Sequence, residues 1–454
     1  MKLTIGTHVE IDDPPPDLCR ATKRRLTLDN PKFVENERMG RWNGDTPESL
    51  YLYEETFGGL IAPRGFARKL CCMAKKSGIK FEIDDRRRAL PDTGYSFRGR
   101  LRPYQQTAVK DILAREFGTL SSPTGSGKTC MALYVIAKRK QPALVICHSK
   151  ELLYQWRDRA TEFLDMAKDE IGIIGGGKKD IGERLTIGVV NSVYKMTDTL
   201  KNHIGHLIVD ECHRCPSRTF TEAVTGFDSK FMMGLSATPF RRDKLSKLIF
   251  WYLGDVVHEV DKRPLVENGD ILRAEVITRT TDFRTTVDAS EQYSAMLTEL
   301  TEDPDRNRQI ASDVTREARN GGGVCLVLSD RKAHCKALCT LLEGQGIPCE
   351  ILTGDIQNSK RQGIVDRLNQ GEVKVLVATG QLIGEGFDCK GLSTMFLTTP
   401  IRFDGRVVQY LGRVLRPSPG KKKAKVYDYT DAHVGVLKSS ARARWKTYRE
   451  QGWV

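Results

Sequence analysis

Short, continuous apolar runs alternate with amphipathic segments along most of this chain from residue 99 onward. The runs are 143–147, 186–190, 206–209 and 231–235 in the first half, and 324–328, 373–378 and 394–397 in the second. Amphipathic segments at 150–163 and 331–343 follow two of these runs and predict helices. Continuous apolar strands joined by crossover helices indicate parallel sheets that are covered on both faces. The pattern therefore predicts an α/β protein with two parallel-sheet domains of similar build.

Residues 1–98 follow a different pattern. They contain a proline run at 14–16, basic clusters at 23–25 and 86–88, and short strand-like runs around one predicted helix at 67–76. We predict a small α+β accessory domain here. The predicted boundaries are 1–98 for this domain, 99–258 for the first parallel-sheet domain and 259–454 for the second.

Length and charge narrow the class of protein. A chain of 454 residues is too long for one ordinary core, and 39% hydrophobic with 29% charged residues fits a soluble globular protein. No apolar run reaches membrane-spanning length, and the N-terminus lacks a signal-peptide pattern, so we expect a cytoplasmic or nucleoid-associated protein of a bacterial or phage-infected cell. In that reducing environment the twelve cysteines are not expected to form disulfides.

The net charge of +14 suits a polyanionic partner, most simply nucleic acid, although a generic basic surface gives the same number.

A glycine-rich segment carries the clearest chemistry. It reads Ser122, Pro123, Thr124, Gly125, Ser126, Gly127, Lys128 and Thr129. The spacing fits the phosphate-binding loop G-x-x-x-x-G-K-[ST] except that Ser122 replaces the first glycine, and the segment lies between a short apolar run and an amphipathic one. Loop N–H groups can surround phosphates, Lys128 can reach the β- and γ-phosphates, and the Thr129 hydroxyl can ligate Mg²⁺. The loop predicts that the protein binds a nucleoside triphosphate with magnesium.

The run 207–209 ends in the acidic sequence Asp210-Glu211-Cys212-His213. A carboxylate at the C-terminal edge of a parallel sheet is well placed for Mg²⁺, so we assign the ion to Asp210. Glu211 would orient or deprotonate the attacking water, and His213 could bond across to the other domain. The alternative for this sequence on its own is an exposed acidic turn.

Two weaker signals flank these motifs. Ser236 and Thr238 follow the next apolar run, where their hydroxyls could relay the nucleotide state to the second domain. Gln105 lies upstream of the phosphate loop, and a glutamine amide matches the donor and acceptor edge of adenine.

The second half has no phosphate loop but carries two segments that could act on a nucleotide. Residues 379–388 follow an apolar run, and here Thr379 could donate to a phosphate oxygen, Gly384 lies in a glycine-rich stretch that permits close backbone approach, and Asp388 could sense the ribose or an arginine. Arg413 and Arg416 share one face of a predicted helix and could stabilise a γ-phosphate as arginine fingers. The alternatives are a plain strand-to-helix loop and a solvated basic face.

Taken together, these stretches resemble the superfamily 2 helicases and translocases, whose motifs they follow in family order across about residues 99–430. They are Gln105, 122–129, 144–156, 186–192, 210–213, 236–238, 324–330, 379–388 and 409–416. The Asp-Glu-Cys-His sequence makes the chain similar to the DExH variant. The forms Gly-Glu-Gly-Phe-Asp and Gln-x-x-Gly-Arg-x-x-Arg-Pro look more like the DNA-acting branch, which includes XPB-like helicases, phage UvsW-like branch-migration helicases and restriction-enzyme motor subunits.

The resemblance implies two tandem RecA-like domains, with ATP in the cleft and nucleic acid across both. It implies that Gln105 reads adenine and that Lys128, Asp210, Glu211, Arg413 and Arg416 carry out hydrolysis with ATP and Mg²⁺. The residues it implies for coupling are His213, Ser236, Thr238 and Gln409, and those for nucleic-acid contact are Ser149, Asn191 and Thr379. An N-terminal module on such proteins often binds duplex or branched DNA, which the basic clusters of residues 1–98 allow.

The predicted function is therefore an ATP-dependent DNA helicase that unwinds or remodels forked and branched DNA, by fork regression or branch migration, in replication, recombination or repair. Two alternatives stay open, an RNA helicase and the motor subunit of a restriction or defence complex that needs protein partners. A GTPase-like switch is disfavoured because the chain lacks the guanine-reading Asn-Lys-x-Asp sequence.

Overall fold

The chain divides into two compact units. The computed structural model describes residues 1–214, 218–237, 246–356, 358–380, 389, 391–400, 414–415, 421, 423–450 and 453. The first unit comprises Met1–Pro123 with Gly127–Val260, and the second comprises Thr124–Ser126 with Asp261–Val454. In the part of the chain that is described, no helix has the length and apolar character needed to cross a bilayer.

The N-terminal segment forms a mixed sheet with helices against it. Its strands are β1 (Lys2–Ile5), β2 (His8–Asp12), β3 (Thr27–Asp29), β4 (Ser49–Tyr51), β5 (Glu54–Thr56), β6 (Gly59–Pro63) and β7 (Glu82–Asp85), and its helices are α1 (Pro16–Leu26), α2 (Pro31–Arg38) and α3 (Ala67–Lys76). The main sheet has the order β5-β6-β2-β1-β7, with only the β1–β7 pair parallel among the described strands, and β3 pairs with β4. Helix α3 matches the predicted 67–76. The sequence predicted one helix in this segment and missed α1 and α2, in which Pro16 and Pro31 occupy the first helical turns, where proline is favoured.

The first parallel sheet follows. Its strands are β8 (Phe117–Ser121), β9 (Ala143–Cys147), β10 (Ile171–Gly175), β11 (Lys178–Lys179), β12 (Leu185–Val189), β13 (His206–Val209), β14 (Phe231–Ser236) and β15 (Val256–Glu259), and its helices are α4 (Pro103–Leu113), α5 (Lys128–Arg139), α6 (Lys150–Leu164), α7 (Val190–Val193), α8 (Thr197–Leu200), α9 (Arg218–Thr225) and α10 (Ser246–Leu253). The strand order is β11-β10-β12-β9-β13-β14-β8-β15, and the neighbours are parallel except for β10 and β11. Strands β9 and β13 are buried along their whole length, as a sheet covered on both faces requires.

The N-terminal sheet and the first parallel sheet share a core. Leu3, Leu26 and Leu70 of the N-terminal segment pack in one cluster with Leu248 and Trp251 of α10. The consequence is that the first unit is built from both sheets.

A close backbone approach completes this contact at the residues that follow β6. A Cβ on Gly65 would lie 2.5 Å from the carbonyl oxygens of both Phe250 and Trp251, so only glycine fits there. Arg64, which is buried, donates from Nη1 to the Ser229 carbonyl at 3.0 Å.

The connection between the two sheets is also tied to the first parallel sheet. Arg88 makes two hydrogen bonds of 3.0 Å to the Asp228 carboxylate. The Gln141 amide bonds Leu90 in both directions, accepting from its N–H at 2.7 Å and donating to its carbonyl at 2.8 Å. These bonds hold residues 88–90 against the first parallel sheet.

The second parallel sheet lies in the second unit. Its strands are β16 (Ala274–Thr281), β17 (Val324–Ser329), β18 (Cys349–Leu352), β19 (Val375–Thr379), β20 (Leu392–Leu397) and β21 (Ala424–Asp431), and the helices of this unit are α11 (Lys262–Glu267), α12 (Tyr293–Glu302), α13 (Pro304–Asn320), α14 (Lys332–Gly344), α15 (Asn358–Gln370) and α16 (Gly435–Glu450). The order is β16-β21-β20-β17-β19-β18, and every described pair is parallel. Two parallel α/β sheets are thus present, as the apolar runs predict.

One expectation about cysteine is wrong. Cys339 on α14 and Cys349 on β18 form a disulfide, with their Cα atoms 6.1 Å apart. Because α14 leads directly into β18, the chain returns beside itself within ten residues, and this places the two side chains within bonding reach. The expectation of reduced thiols was drawn from the cell compartment and took no account of this local geometry.

Candidate nucleotide-hydrolysis site

Three neighbouring strands of the first parallel sheet bring the predicted motifs to one edge. Strands β13, β14 and β8 lie side by side and run parallel, so their carboxyl ends meet. The phosphate loop follows β8, the acidic sequence follows β13, and Ser236 ends β14. The Ser122 N–H donates to the Ser236 carbonyl at 2.9 Å, which fixes the start of the loop against the neighbouring strand.

The loop has the backbone shape of an anion cradle. Gly125 and Gly127 adopt positive φ angles of 88° and 82°, a region that side-chain-bearing residues avoid. Gly127 also stands at the N-cap of α5 and provides no side-chain acceptor for the first N–H groups of the helix. Uncapped N–H groups at a helix N-terminus favour a negatively charged ligand, so phosphate is the natural occupant.

Lys128 lies over this loop. Its ammonium donates to the Ser122 carbonyl at 3.0 Å and to the Pro123 carbonyl at 3.4 Å. These are bonds to neutral acceptors, and a phosphate oxygen is a stronger, charged acceptor within reach of the same flexible side chain. The contact between Lys128 and the β- and γ-phosphates stays a prediction.

Two hydrogen bonds hold the Asp210 carboxylate just after the carboxyl end of β13. It is 7% exposed, accepts from the Trp156 indole N–H at 2.8 Å through Oδ2, and accepts from the Glu211 N–H at 2.9 Å through Oδ1. Burial, together with the adjacent Glu211 carboxylate, raises the pKa of Asp210 above its ordinary value. A divalent cation would relieve both effects, because it stabilises the ionised carboxylate.

Glu211 has the opposite electrostatic balance. Burial acts to raise its pKa, but the His213 imidazole and the Lys128 positive charge outweigh burial and lower the pKa. His213 Nδ1 lies 3.2 Å from Glu211 Oε2 and also 3.2 Å from Ser236 Oγ. The backbone of Glu211 has a positive φ of 48°, an uncommon conformation for a residue other than glycine. An ionised Glu211 suits the predicted work of orienting or deprotonating water.

The donor set fits a magnesium ion. Glu211 Oε2 is buried without a hydrogen-bond partner of good geometry, which is costly unless a water or another group bonds it. Asp210 and Thr129 offer the oxygen ligands that Mg²⁺ prefers, and an ion usually keeps several waters that such a carboxylate can accept from. When bound, the ion would neutralise charge on the phosphates.

Gln105 lies beside the loop and is buried. Its Oε1 accepts from the Arg102 N–H at 2.9 Å, which caps the start of α4. A Cβ on Gly127 would lie 2.5 Å from Gln105 Nε2, so the amide abuts the phosphate loop. The amide oxygen of Gln105 therefore caps a helix, and the contact of Gln105 with adenine stays a prediction.

The predicted nucleic-acid residues are placed in different settings. Ser149 caps α6, since its hydroxyl accepts from the Leu152 N–H at 3.3 Å, whereas Asn191 is exposed on α7 and Thr379 ends β19 in the second unit. Their contacts with nucleic acid stay predictions. Six other predicted site residues lie outside the described residues, namely Thr238, Gly384, Asp388, Gln409, Arg413 and Arg416.

Sequence reasoning missed the part played by Trp156. It lies on α6, 54 residues before Asp210, and its indole N–H is the side-chain donor that orients the carboxylate. The only signal was that a tryptophan, whose N–H needs a partner when buried, follows the strand β9 that neighbours β13.

Family comparisons match both halves of the chain. Residues 98–241 match the family described as "Type III restriction enzyme, res subunit", and residues 307–418 match the "Helicase conserved C-terminal domain". The first match spans the phosphate loop and the acidic sequence, and the second spans the predicted arginine helix.

Individual relatives agree with these matches. "Putative ATP-dependent RNA helicase L396" of Acanthamoeba polyphaga mimivirus is 26% identical, over 93% of this chain and 78% of that protein. "ATP-dependent DNA helicase uvsW" of Enterobacteria phage T4 is 24% identical, over 78% of this chain and 73% of that protein. "DNA 3'-5' translocase XPB2" of Sulfurisphaera tokodaii is 35% identical, over 35% of each chain.

A solved structure supports the fold. S. cerevisiae Dbp5, solved bound to RNA and ADP BeF3, aligns with a TM-score of 0.55 and 16% identity, over 78% of this chain and 88% of that one. Together with the family matches, this likeness confirms the predicted fold class of tandem RecA-like domains. The mixed sheet of the N-terminal segment confirms the small α+β region.

Proposed function

Because the chain belongs to the superfamily 2 helicases of the XPB and UvsW type, we propose that it is an ATP-dependent DNA helicase or translocase that remodels forked and branched DNA. One observation carries the chemistry. A lysine-bearing phosphate loop meets the buried Asp210 carboxylate and the partly buried Glu211 carboxylate at the carboxyl edge of one parallel sheet. This arrangement supports hydrolysis of a nucleoside triphosphate.

We assign a role to each group at this edge. Lys128 binds the β- and γ-phosphates, while Thr129 and Asp210 hold Mg²⁺. Glu211, ionised through its contact with His213, orients the attacking water and accepts its proton. Arg413 and Arg416 remain proposed arginine fingers, on the strength of their sequence motif alone.

Coupling to DNA would begin at the same edge. His213 lies between Glu211 and Ser236, so a shift of the Glu211 carboxylate on hydrolysis changes what His213 bonds. Ser236 ends β14, two residues before the predicted coupling residue Thr238. We propose that this path transmits the nucleotide state to the nucleic-acid contacts.

DNA is the favoured substrate for two reasons. The relatives named UvsW and XPB2 are described as a DNA helicase and a DNA translocase, and the net charge of +14 suits a phosphate backbone. RNA is the second candidate, because the mimivirus relative is described as an RNA helicase and Dbp5 was solved bound to RNA. A motor subunit that needs partners is the third, because the first half matches a restriction-enzyme family.

The test compares strand separation and branch migration on matched substrates. A fork, a Holliday junction, a flap and an RNA duplex would share one core sequence and be assayed with ATP and with ADP. We expect ATP-dependent turnover of the fork and the junction, and none of the RNA duplex. Activity confined to the RNA duplex would replace this function with the RNA alternative. Activity that appears only when a host extract is added would favour the motor subunit.

A further inference from the structure

The disulfide between Cys339 and Cys349 takes no part in the proposed hydrolysis chemistry. It joins the middle of α14 to the first residue of β18, with the two Cα atoms 6.1 Å apart. In a reducing compartment, which the sequence predicts for this chain, a disulfide is usually transient and redox-sensing. We propose that Cys339 and Cys349 form a reversible redox site, a disulfide under oxidising conditions and two thiols under reducing ones. This inference does not depend on the proposed function.

Geometry and burial distinguish this pair from neighbouring cysteines of the second unit. Cys325 and Cys335 are buried and carry free thiols. Burial raises the pKa of Cys325 to about 12 and the pKa of Cys335 to about 11, so both stay protonated and react slowly. The Cα atoms of Cys339 and Cys349, by contrast, lie at a distance typical of disulfides. Oxidation of this part of the molecule therefore favours the Cys339–Cys349 bond.

The two sulfurs of the bond differ in their access to solvent. Cys339 is 4% exposed, whereas Cys349 is only partly buried. The thiolate of a reductant such as glutathione therefore attacks the Cys349 sulfur and forms a mixed disulfide, while Cys339 leaves as a thiolate and takes up a proton. A second reductant thiol attacks the mixed disulfide at the reductant sulfur and releases Cys349 as a thiol. Two electrons and two protons thus pass from two reductant thiols, which end as one disulfide.

Other contacts hold the surrounding backbone when the bond is open. The turn after α14 is tied to α13, because Gln345 accepts from the Thr315 hydroxyl at 2.6 Å through Oε1 and from the Arg319 guanidinium at 2.7 Å through its carbonyl. The Ile347 N–H donates to the Leu342 carbonyl at 2.9 Å. The dithiol and the disulfide can therefore alternate on one fold, which makes the exchange reversible.

Reduction would weaken the attachment of β18. In the described sheet, β18 stands at one end of the strand order and pairs with β19 alone. An ion pair of 2.6 Å between Lys332 and Asp355 links the turn after β18 back to α14, but both side chains are exposed, so this pair contributes little. The disulfide is the covalent part of the contact between α14 and β18. Residues 349–356 should therefore open more often once it is reduced.

The experiment follows the thiols through a series of glutathione buffers. The full chain would be equilibrated at defined ratios of reduced to oxidised glutathione, quenched with acid, unfolded and alkylated, and mass spectrometry would then locate each thiol. We expect Cys339 and Cys349 to convert together at one midpoint, while Cys325 and Cys335 stay thiols throughout. Cys335→Ala, on the same helix, is the matched control and should leave the midpoint unchanged.

Single variants test which sulfur is attacked. Cys339→Ser leaves the partly exposed Cys349, which should collect a mixed disulfide with glutathione. Cys349→Ser leaves the buried Cys339, which should collect little or none. Equal adduct formation by the two variants would contradict attack at the Cys349 sulfur.

Hydrogen exchange and melting test the structural consequence. Residues 349–356 should exchange faster in the reduced wild type than in the oxidised one, and α13 should exchange equally in both. Reduction should lower the melting temperature of the second unit by about 5–10 °C, as expected for opening a short disulfide loop. A variant carrying both Cys339→Ser and Cys349→Ser should match the reduced wild type in either buffer.

Three results would overturn the inference. The first is full alkylation of both thiols even in oxidised glutathione, and the second is a disulfide that opens only when the chain is unfolded. The third is a zinc ion that stays bound and protects both thiols from alkylation. Because Cys339, Glu343 and Cys349 offer ligand atoms within 4.8 Å of one another, that third result would replace the redox site with a metal site.

Discussion

Trp156 shows how one side chain outside the motifs sets the geometry of the proposed metal carboxylate. Its indole N–H donates to Asp210 in a buried setting, and Asp210 has its other oxygen fixed by the Glu211 N–H. Groups that bond a metal ligand from behind tune its orientation and its basicity. The tryptophan therefore belongs to the proposed hydrolysis site through its bond to Asp210.

We predict that Trp156→Phe raises the magnesium concentration needed for half-maximal ATP hydrolysis by about 10- to 100-fold. The phenyl ring fills most of the same space but cannot donate, so Asp210 loses one of its two fixed partners. A magnesium titration of the steady-state hydrolysis rate measures this. Tyr154→Phe is the matched control, because it removes a polar group from an exposed aromatic of the same helix and should change nothing. An unaltered magnesium requirement in Trp156→Phe would show that the indole is only packing.

At the scale of elements, the turn from β8 into α5 is the part of the site that depends most on backbone conformation. Gly127 has a φ of 82°, and a side chain there would press on Gln105, which is itself held by the Arg102 N–H. The shape of the loop, the position of the Gln105 amide and the start of α5 thus all depend on Gly127.

We expect Gly127→Ala to weaken ATP binding at least tenfold, because the new Cβ forces both the backbone and the Gln105 amide to move. Gly177→Ala is the matched control. Gly177 has a similar φ of 93° but open space around its Cβ position. This substitution therefore tests only the backbone strain of a left-handed alanine, which costs about 1–2 kcal/mol. Equilibrium binding of a fluorescent ATP analogue gives both affinities. Equal effects of the two substitutions on ATP binding would contradict the proposed coupling.

The elements also show where sequence reasoning succeeds and where it stops. Strands β9 and β13 occur at the predicted residues, because a fully buried parallel strand leaves a continuous apolar run. The phosphate loop and the acidic sequence were predictable because their chemistry is local.

Contacts between distant segments were not predictable in the same way. The Trp156–Asp210 bond spans 54 residues, and the capping bond of Gln105 depends on where α4 begins. To predict the core that the N-terminal segment shares with α10, the strand order would have been needed as well.

At the scale of the whole molecule, the N-terminal segment is built into the first unit. Arg64 is the buried link, since Nη1 bonds the Ser229 carbonyl at 3.0 Å and the Gly6 carbonyl at 3.3 Å, joining the two sheets. Burial lowers the pKa of Arg64 to about 10, because the charged guanidinium is removed from water in this link.

We predict that Arg64→Met destabilises the first unit by about 1–3 kcal/mol, because it leaves buried carbonyl groups without a hydrogen-bond donor. Chemical unfolding measures the loss of stability. Limited proteolysis of the folded variant should release the N-terminal segment earlier than in the wild type. Arg68→Met, on the exposed face of α3, should behave as wild type. Equal protection of the N-terminal segment in both variants would show that Arg64 does not hold the two sheets together.

We propose that ATP hydrolysis at the phosphate loop is coupled to DNA binding. The steady-state rate of ATP hydrolysis, measured with and without forked DNA for the wild type and for Lys128→Ala, tests this coupling. We predict that DNA stimulates the wild type several-fold, and that Lys128→Ala hydrolyses no ATP in either condition while it retains DNA binding. A wild-type rate that no DNA changes, or hydrolysis that persists in Lys128→Ala, would contradict the account.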